Sequence, residues 1–165
     1  MVTRAYTVAF EGVSARLVEV QCAVTPGIPA FGLVGLPDKA VSEAKDRVRA
    51  AFESLGLALP ARKVTLNLSP ADLPKQGAHY DLPIALALLG EMGVLAKEDV
   101  DPIVSLGDLS LDGRLMPVCG ALPAALTAAA ENMPLLCPAT VGAQAAWVSG
   151  TETFGAATLQ QAINH

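Results

Sequence analysis

Reactive side chains crowd one stretch of this sequence, Pro70-Ala71-Asp72-Leu73-Pro74-Lys75-Gln76-Gly77-Ala78-His79-Tyr80-Asp81-Leu82-Pro83. A lysine, a histidine, a tyrosine and carboxylates within a few residues could bind an anion or move a proton, above all beside a helix N-terminus, whose partial positive charge favours anions. Two readings stay open. In one, Lys75, His79 and Tyr80 face a ligand or partner. In the other, Asp81 caps a helix, Gly77 turns the chain and Tyr80 shields the apolar helix end.

Other chemistries find no support. A phosphate cradle needs G-x-x-x-x-G-K-[S/T], so that backbone amides and a lysine meet the phosphates together. Phe31-Gly32-Leu33-Val34-Gly35-Leu36-Pro37 has two glycines, no third, and a proline where a donor is needed. Metal sites need clustered ligands, yet the two histidines, His79 and His165, stand far apart, and Asp99 and Asp101 lie on a polar connector. No G-x-S-x-G elbow offers a nucleophilic serine. No cofactor is expected to bind these residues.

The elements that must position the loop are legible from periodicity. Val2 to Phe10 and Arg16 to Val24 read as strands joined by Glu11-Gly12, and Phe31 to Val34 as a short apolar strand. Asp38 begins a helix to Leu55, with Val41, Ala44, Val48 and Phe52 on one face and charges such as the Glu43–Arg47 pair on the other. Lys63 to Leu68 alternates as a strand. Asp81, as N-cap, starts a helix to about Met92 that is apolar nearly all round and therefore central. Ile103 to Leu109 and Arg114 to Val118 flank an Asp112-Gly113 hairpin turn. A helix over Ala121 to Ala130, a strand at Leu135-Leu136-Cys137, a helical piece at about Val141 to Trp147 and a tail helix over Ala157 to Ile163 complete an α+β arrangement, a mixed sheet with packed helices.

Composition narrows the function classes. The 165 residues form one domain, 52% hydrophobic and 16% charged. A mean hydropathy of +0.45 excludes disorder, and no uncharged stretch lacks breaks for the length of a membrane span. The net charge of −5 argues against duplex binding as the main role. The basic residues are nonetheless concentrated in Lys39, Lys45, Arg47, Arg49, Arg62, Lys63 and Lys75, which keeps a nucleic-acid-binding face as an alternative. Cys22, Cys119 and Cys137 form no C-x-x-C pair and read as small buried hydrophobes of a reducing compartment. With no apolar signal region near Met1, the expected location is the cytoplasm.

Three segments go further. The stretch from Gly35-Leu36-Pro37-Asp38-Lys39-Ala40-Val41 to Ala51, the stretch from Val64-Thr65-Leu66-Asn67-Leu68-Ser69-Pro70 to Lys75, and Tyr80-Asp81-Leu82-Pro83-Ile84-Ala85 closely resemble the ComM/YifB family of magnesium-chelatase-like AAA+ ATPases. The resemblance covers nearly the whole chain and corresponds to the family's N-terminal domain. That domain is similar to the Lon protease proteolytic domain, with a fold like ribosomal protein S5 domain 2. The resemblance implies an ATP- and magnesium-using ATPase module in the parent, ring assembly, and, in the ComM branch, DNA branch migration during natural transformation. This sequence lacks that module, and the chelatase label does not carry a pigment-metallating activity with it.

Lon-type peptidases use a serine in K-x-G-P-S-A-G and, after a hairpin, the lysine that ends P-x-G-G-L-K. Here Lys75-Gln76-Gly77-Ala78-His79 places His79 at the serine, and Pro117-Val118-Cys119-Gly120-Ala121-Leu122 places Leu122 at the lysine. The dyad is degenerate, because an apolar group cannot serve as a base. The resulting expectation is a non-catalytic accessory domain for scaffolding, assembly or substrate docking. Its interaction surface would be Lys39, Lys45, Arg47, Arg49, Lys75, Gln76, Gly77, His79, Tyr80 and Asp81, with the ATPase module of the parent as first partner, DNA reached through that parent and no membrane. A hydrolase with a rearranged site at His79 is the remaining alternative.

Overall fold

Period-two apolar patterning dominates the first half of the chain and lays down a sheet. In the computed structural model, which describes residues 2–164, β1 (Thr3–Glu11) and β2 (Ser14–Thr25) form an antiparallel hairpin, Thr3 opposite Cys22 and Glu11 opposite Ser14. A short β3 (Ala30–Val34) follows. The predicted helix over Asp38 to Leu55 is two helices, α1 (Lys39–Ser42) and α2 (Ala44–Ser54). Asp38 caps α1 as expected, its carboxylate accepting from the Val41 amide at 2.8 Å, and Glu43 is the joint. β4 (Lys63–Ser69) then pairs antiparallel with β2 and parallel with β3.

The all-apolar segment becomes α3 (Asp81–Glu91), in which every residue from Asp81 to Gly90 is buried. Beyond it come α4 (Lys97–Val100), β5 (Val104–Ser105), β6 (Asp108–Leu109) and β7 (Leu115–Met116). The strand expected over Ile103 to Leu109 is therefore divided. β5 joins the main sheet beside β1, whereas β6 leaves it to pair with β7 in a separate ribbon. The division lies at Gly107, whose amide donates to the His79 carbonyl at 3.0 Å and whose carbonyl accepts from Leu82 at 3.1 Å. A side chain at Gly107 would meet Leu82 and Leu115 at 3.0–3.3 Å, so the chain bends there against the start of α3.

α5 (Ala121–Ala130), β8 (Leu135–Pro138), α6 (Gly142–Ala145), β9 (Thr153–Ala156) and α7 (Leu159–Ile163) close the chain. The tail helix starts two residues later than expected, at Leu159, where the hydroxyl of Thr158 accepts from Gln161 at 3.1 Å, and it is preceded by a strand the sequence did not announce, Thr153–Ala156, paired parallel with β8. Lys97–Val100, read as a polar connector, is one helical turn. The fold is α+β, a mixed seven-stranded sheet in the order β3-β4-β2-β1-β5-β8-β9 with helices packed on both faces.

The alternation of β1 divides the interior. Ala5 and Ala9 join the core with α2 and α3, while Val8 and Phe10 turn to the opposite core with α5. Cys22 and Cys137 are buried, and burial pushes their thiols up to about 12 and about 11. Cys119 corrects the expectation for the third: it is exposed, because it lies in the turn just before α5 and not on a core-facing strand.

Candidate functional site

The loop from Pro70 to Asp81 turns Leu73, Lys75, His79, Tyr80 and Asp81 inward and leaves Ala71, Asp72, Pro74 and Gln76 exposed. After β4 the chain folds back along the segment that follows β3, the Lys75 amide donating to Leu36 at 3.0 Å and the Lys75 carbonyl accepting from Asp38 at 2.9 Å. This strap carries the Lys75 side chain inside, fully buried, with Nζ donating to the Pro70 carbonyl. Burial pulls the Lys75 amine below its usual value, and the nearby Asp72 carboxylate opposes the change.

His79 is only 6% exposed, and its Nε2 lies 2.7 Å from the Val8 carbonyl. A carbonyl can only accept, so Nε2 carries the proton. Burial lowers the pKa of the ring from 6.5, against the pull of the Val8 bond and of Asp38. Gly77 holds φ at +105°, and a Cβ there would lie 3.0 Å from His79 Nδ1, so the ring is fitted closely against the glycine. The His79 ring packs on Phe10 and Tyr80 with centroids 5.0 Å and 4.3 Å apart. The Tyr80 hydroxyl is buried without a partner among the described residues, and burial pushes it above the usual phenol range.

Phe10 also closes the opposite side. Gly120, at φ +89°, stands so close that a Cβ there would lie 2.4 Å from the Phe10 ring. Gly120 precedes α5, on which Leu122 is 44% exposed. The two positions singled out by the peptidase resemblance, His79 and Leu122, are thus a locked imidazole and a surface aliphatic, and Phe10 packs between the loop of one and the helix start of the other.

Asp81 is not the helix cap expected of it. Tyr80 occupies that place, and Asp81 is the first helical residue with its carboxylate fully buried. Oδ2 accepts from Arg47 Nε at 2.6 Å and from the Leu109 amide at 3.0 Å, and Oδ1 accepts from Arg47 Nη2 at 3.0 Å. Arg47 also donates to the Ala40 carbonyl at 2.7 Å and lies 3.7 Å from Asp108. Arg47 therefore serves this cluster and not the expected pair with Glu43, and it joins α2, α3 and the β6–β7 ribbon. Burial pushes the Asp81 carboxyl up to about 7, while Arg47 and the Leu109 amide draw it down. The pair raises the Arg47 guanidinium above its usual value.

The remaining predicted residues face outward. Lys39, Arg49 and Gln76 are exposed, and Lys45 and Gly77 are half-buried. Among the described residues, Lys39, Lys45, Arg49, Arg62 and Lys63 have no carboxylate partner, whereas Arg4, Arg16, Lys97 and Arg114 are paired with Glu19, Glu11, Glu91 and Asp112. Arg49 and Arg62 line one cleft of about 150 Å³, walled by Pro29, Phe31, Leu59 and Pro60. Phe10, Asp108 and this cleft escaped sequence reading. Alternation placed Phe10 on the α5 face of β1, but nothing local announced that it would abut His79. No group of three or more His, Cys, Asp or Glu side chains able to hold a metal occurs among the described residues. No described helix is long and apolar enough to cross a membrane.

Comparison with known proteins adds relatives to this geometry. Residues 18–140 match the family model described as subunit ChlI of Mg-chelatase. A Mycobacterium tuberculosis protein is 43% identical over 159 residues, 96% of this chain and 32% of its own length. Competence protein ComM of Haemophilus influenzae is 39% identical over 158 residues, 96% of this chain and 31% of its own. YifB of Escherichia coli is 45% identical over 123 residues, 74% of this chain and 24% of its own. The chain thus spans about a third or less of the length of the curated relatives it matches.

Proposed function

Since the chain belongs to the ChlI family of magnesium-chelatase subunits, with ComM and YifB among its relatives, we propose that it is a non-catalytic, Lon-like accessory domain. It serves scaffolding, ring assembly or substrate docking for an AAA+ ATPase module carried elsewhere in its parent protein. ATP and magnesium belong to that module. The residues here do not fit a nucleotide: Gly32 lies within β3, paired with β4, and the turn from β3 into α1 carries no G-x-x-x-x-G-K-[S/T] sequence, with Pro37 where a donor amide is needed. The setting is cytoplasmic, and the DNA branch migration of the ComM branch is a property of the whole parent.

One observation carries the reading. At the two positions that the peptidase resemblance assigns to the serine and the lysine, His79 is buried with its Nε2–H donating to the Val8 carbonyl, and Leu122 offers no base. A fluorogenic casein assay with the 165-residue chain tests it. No cleavage above buffer is expected. Turnover that disappears in His79→Ala would replace the accessory reading with a hydrolase. Removing the domain from the parent is expected to impair assembly or substrate engagement while the ATPase module still binds ATP.

The nucleic-acid alternative keeps Lys39, Lys45, Arg49, Arg62 and Lys63 but loses Arg47 and Lys75 to the interior. Oligonucleotide binding at two salt concentrations separates the readings, since phosphate contacts produce a steep salt slope. Weak or absent binding at low salt is expected.

A further inference from the structure

β3 is the edge strand of the seven-stranded sheet and, among the described residues, pairs only with β4. Natural sheets usually blunt such an edge with charge, proline, a bulge or a covering element. Here the ten residues from Gly27 to Leu36 carry no charge. Ile28 is 87% exposed, Val34 49% and Leu36 55%. The Ala30 amide bonds to the Arg62 carbonyl at 3.4 Å, toward β4. Since successive residues of a strand alternate their amides between its two sides, Phe31 and Leu33 turn theirs toward the open side.

One end of this edge has a built character. At the start of β3 lies the cleft of about 150 Å³ lined by Arg49 and Arg62. Neither guanidinium has a carboxylate partner among the described residues, although every other arginine of the chain has one. The walls are apolar and include the half-buried Phe31 ring. Two free arginines at the end of an apolar, unpaired strand edge call for a strand that ends in negative charge. A strand adding antiparallel to β3 brings its C-terminal end to the cleft, whereas a parallel one would bring a positive N-terminus. The cleft has room for a carboxylate.

We propose that the β3 edge binds the extended C-terminal segment of another polypeptide, added antiparallel, with its terminal carboxylate held between Arg49 and Arg62. Main-chain bonds along β3 supply affinity independent of sequence, and the charge-assisted bonds in the cleft select a free chain end. This site is separate from the degenerate dyad, so its failure would leave the casein result untouched.

The test uses a fluorescein-labelled strand-forming peptide of alternating Thr and Val, about six residues long, with either a free C-terminal carboxylate or a C-terminal amide. Fluorescence anisotropy is expected to show the acid bound at least about tenfold more tightly than the amide. Arg49→Ala combined with Arg62→Ala should erase that difference, and N-methylation of alternate peptide amides should abolish binding. Both arginines are exposed, and the acid–amide comparison on the unaltered chain stands even if the variant is poorly folded. Equal affinity for acid and amide, no binding at about 1 mM peptide, or an undiminished acid preference in the variant would each overturn the proposal. So would a labelled oligothymidylate bound through the same arginines more tightly than the peptide, which would assign the cleft to nucleic acid.

Discussion

Arg47 and Arg49 sit two residues apart on α2 and lead opposite lives. Arg47 reaches inward to the buried carboxylate of Asp81, with Leu109 and Ala40 completing the cluster. Arg49 lies on the surface and shares a cleft with Arg62. The same contrast separates the two most conspicuous regions of the chain. The loop from Pro70 to Asp81, richest in reactive side chains, spends Lys75, His79 and Asp81 on internal bonds. The bland apolar segment around β3 keeps its edge and its neighbouring cations open. Chemical variety in a loop is therefore not a measure of its availability. A polar group is spoken for once burial demands a partner for it.

The sharpest way to break this contrast is to truncate each arginine. Arg47→Ala leaves the fully buried Asp81 carboxylate and the Ala40 carbonyl without their shared donor, and is expected to cost about 3–5 kcal/mol in urea unfolding. A loss under about 1 kcal/mol would mean that Asp81 has water to turn to and that the inward region is less closed than described. Next in size is Gly120→Ala. Its φ of +89° and a Cβ only 2.4 Å from the Phe10 ring combine backbone strain with a clash, and a loss of about 2–3 kcal/mol is expected. An unchanged stability would detach α5 from Phe10 and reopen the space beside His79.

A smaller effect depends on pH. The folded pKa of His79 lies below 6.5, so under mild acid the unfolded chain takes up a proton that the folded chain refuses. The contribution of His79 is whole above 6.5 and is lost as pH falls through the window below it. Asp81 acts in the opposite sense: with its carboxyl raised from 3.8 to about 7, the folded chain holds a proton that the unfolded chain has released, and stability falls as pH rises across that window. The two overlap, so only a difference isolates either one. His79→Gln, whose amide can still donate to Val8, is expected to lose less melting temperature on acidification than the unaltered chain. An equal loss in both would mean that His79 is free to protonate in place. Smallest of all is Arg49→Ala, expected within about 0.5 kcal/mol of the unaltered stability. A larger cost would show that Arg49 too is engaged within the fold.

Much of the scaffold was legible in the residues. The alternation of Val18, Val20 and Cys22 and that of Val64, Leu66 and Leu68 placed β2 and β4, and the unbroken apolar body of α3 announced its burial. What escaped depends on distant partners. An aspartate before an apolar helix looks alike whether it caps that helix or receives an arginine from another, and Asp81 does the second. The bend at Gly107 follows from its packing on Leu115 and on Leu82, the latter far from it in sequence. The strand Thr153–Ala156 was not foreseen, because it is defined by pairing with β8 and not by a long periodic run. At the site, the types and positions of Lys75, His79 and Leu122 were readable, but the direction in which each faces was not.

The most direct test of the central claim, that the buried His79 serves the fold, is an NMR titration of the His79 imidazole. The expected result is a neutral ring carrying its proton on Nε2, with a slowly exchanging N–H and a midpoint below the ordinary 6.5. A ring that titrates at or above 6.5 and exchanges its proton freely with solvent would contradict the account, because such a histidine would be an accessible acid–base group in an open cleft.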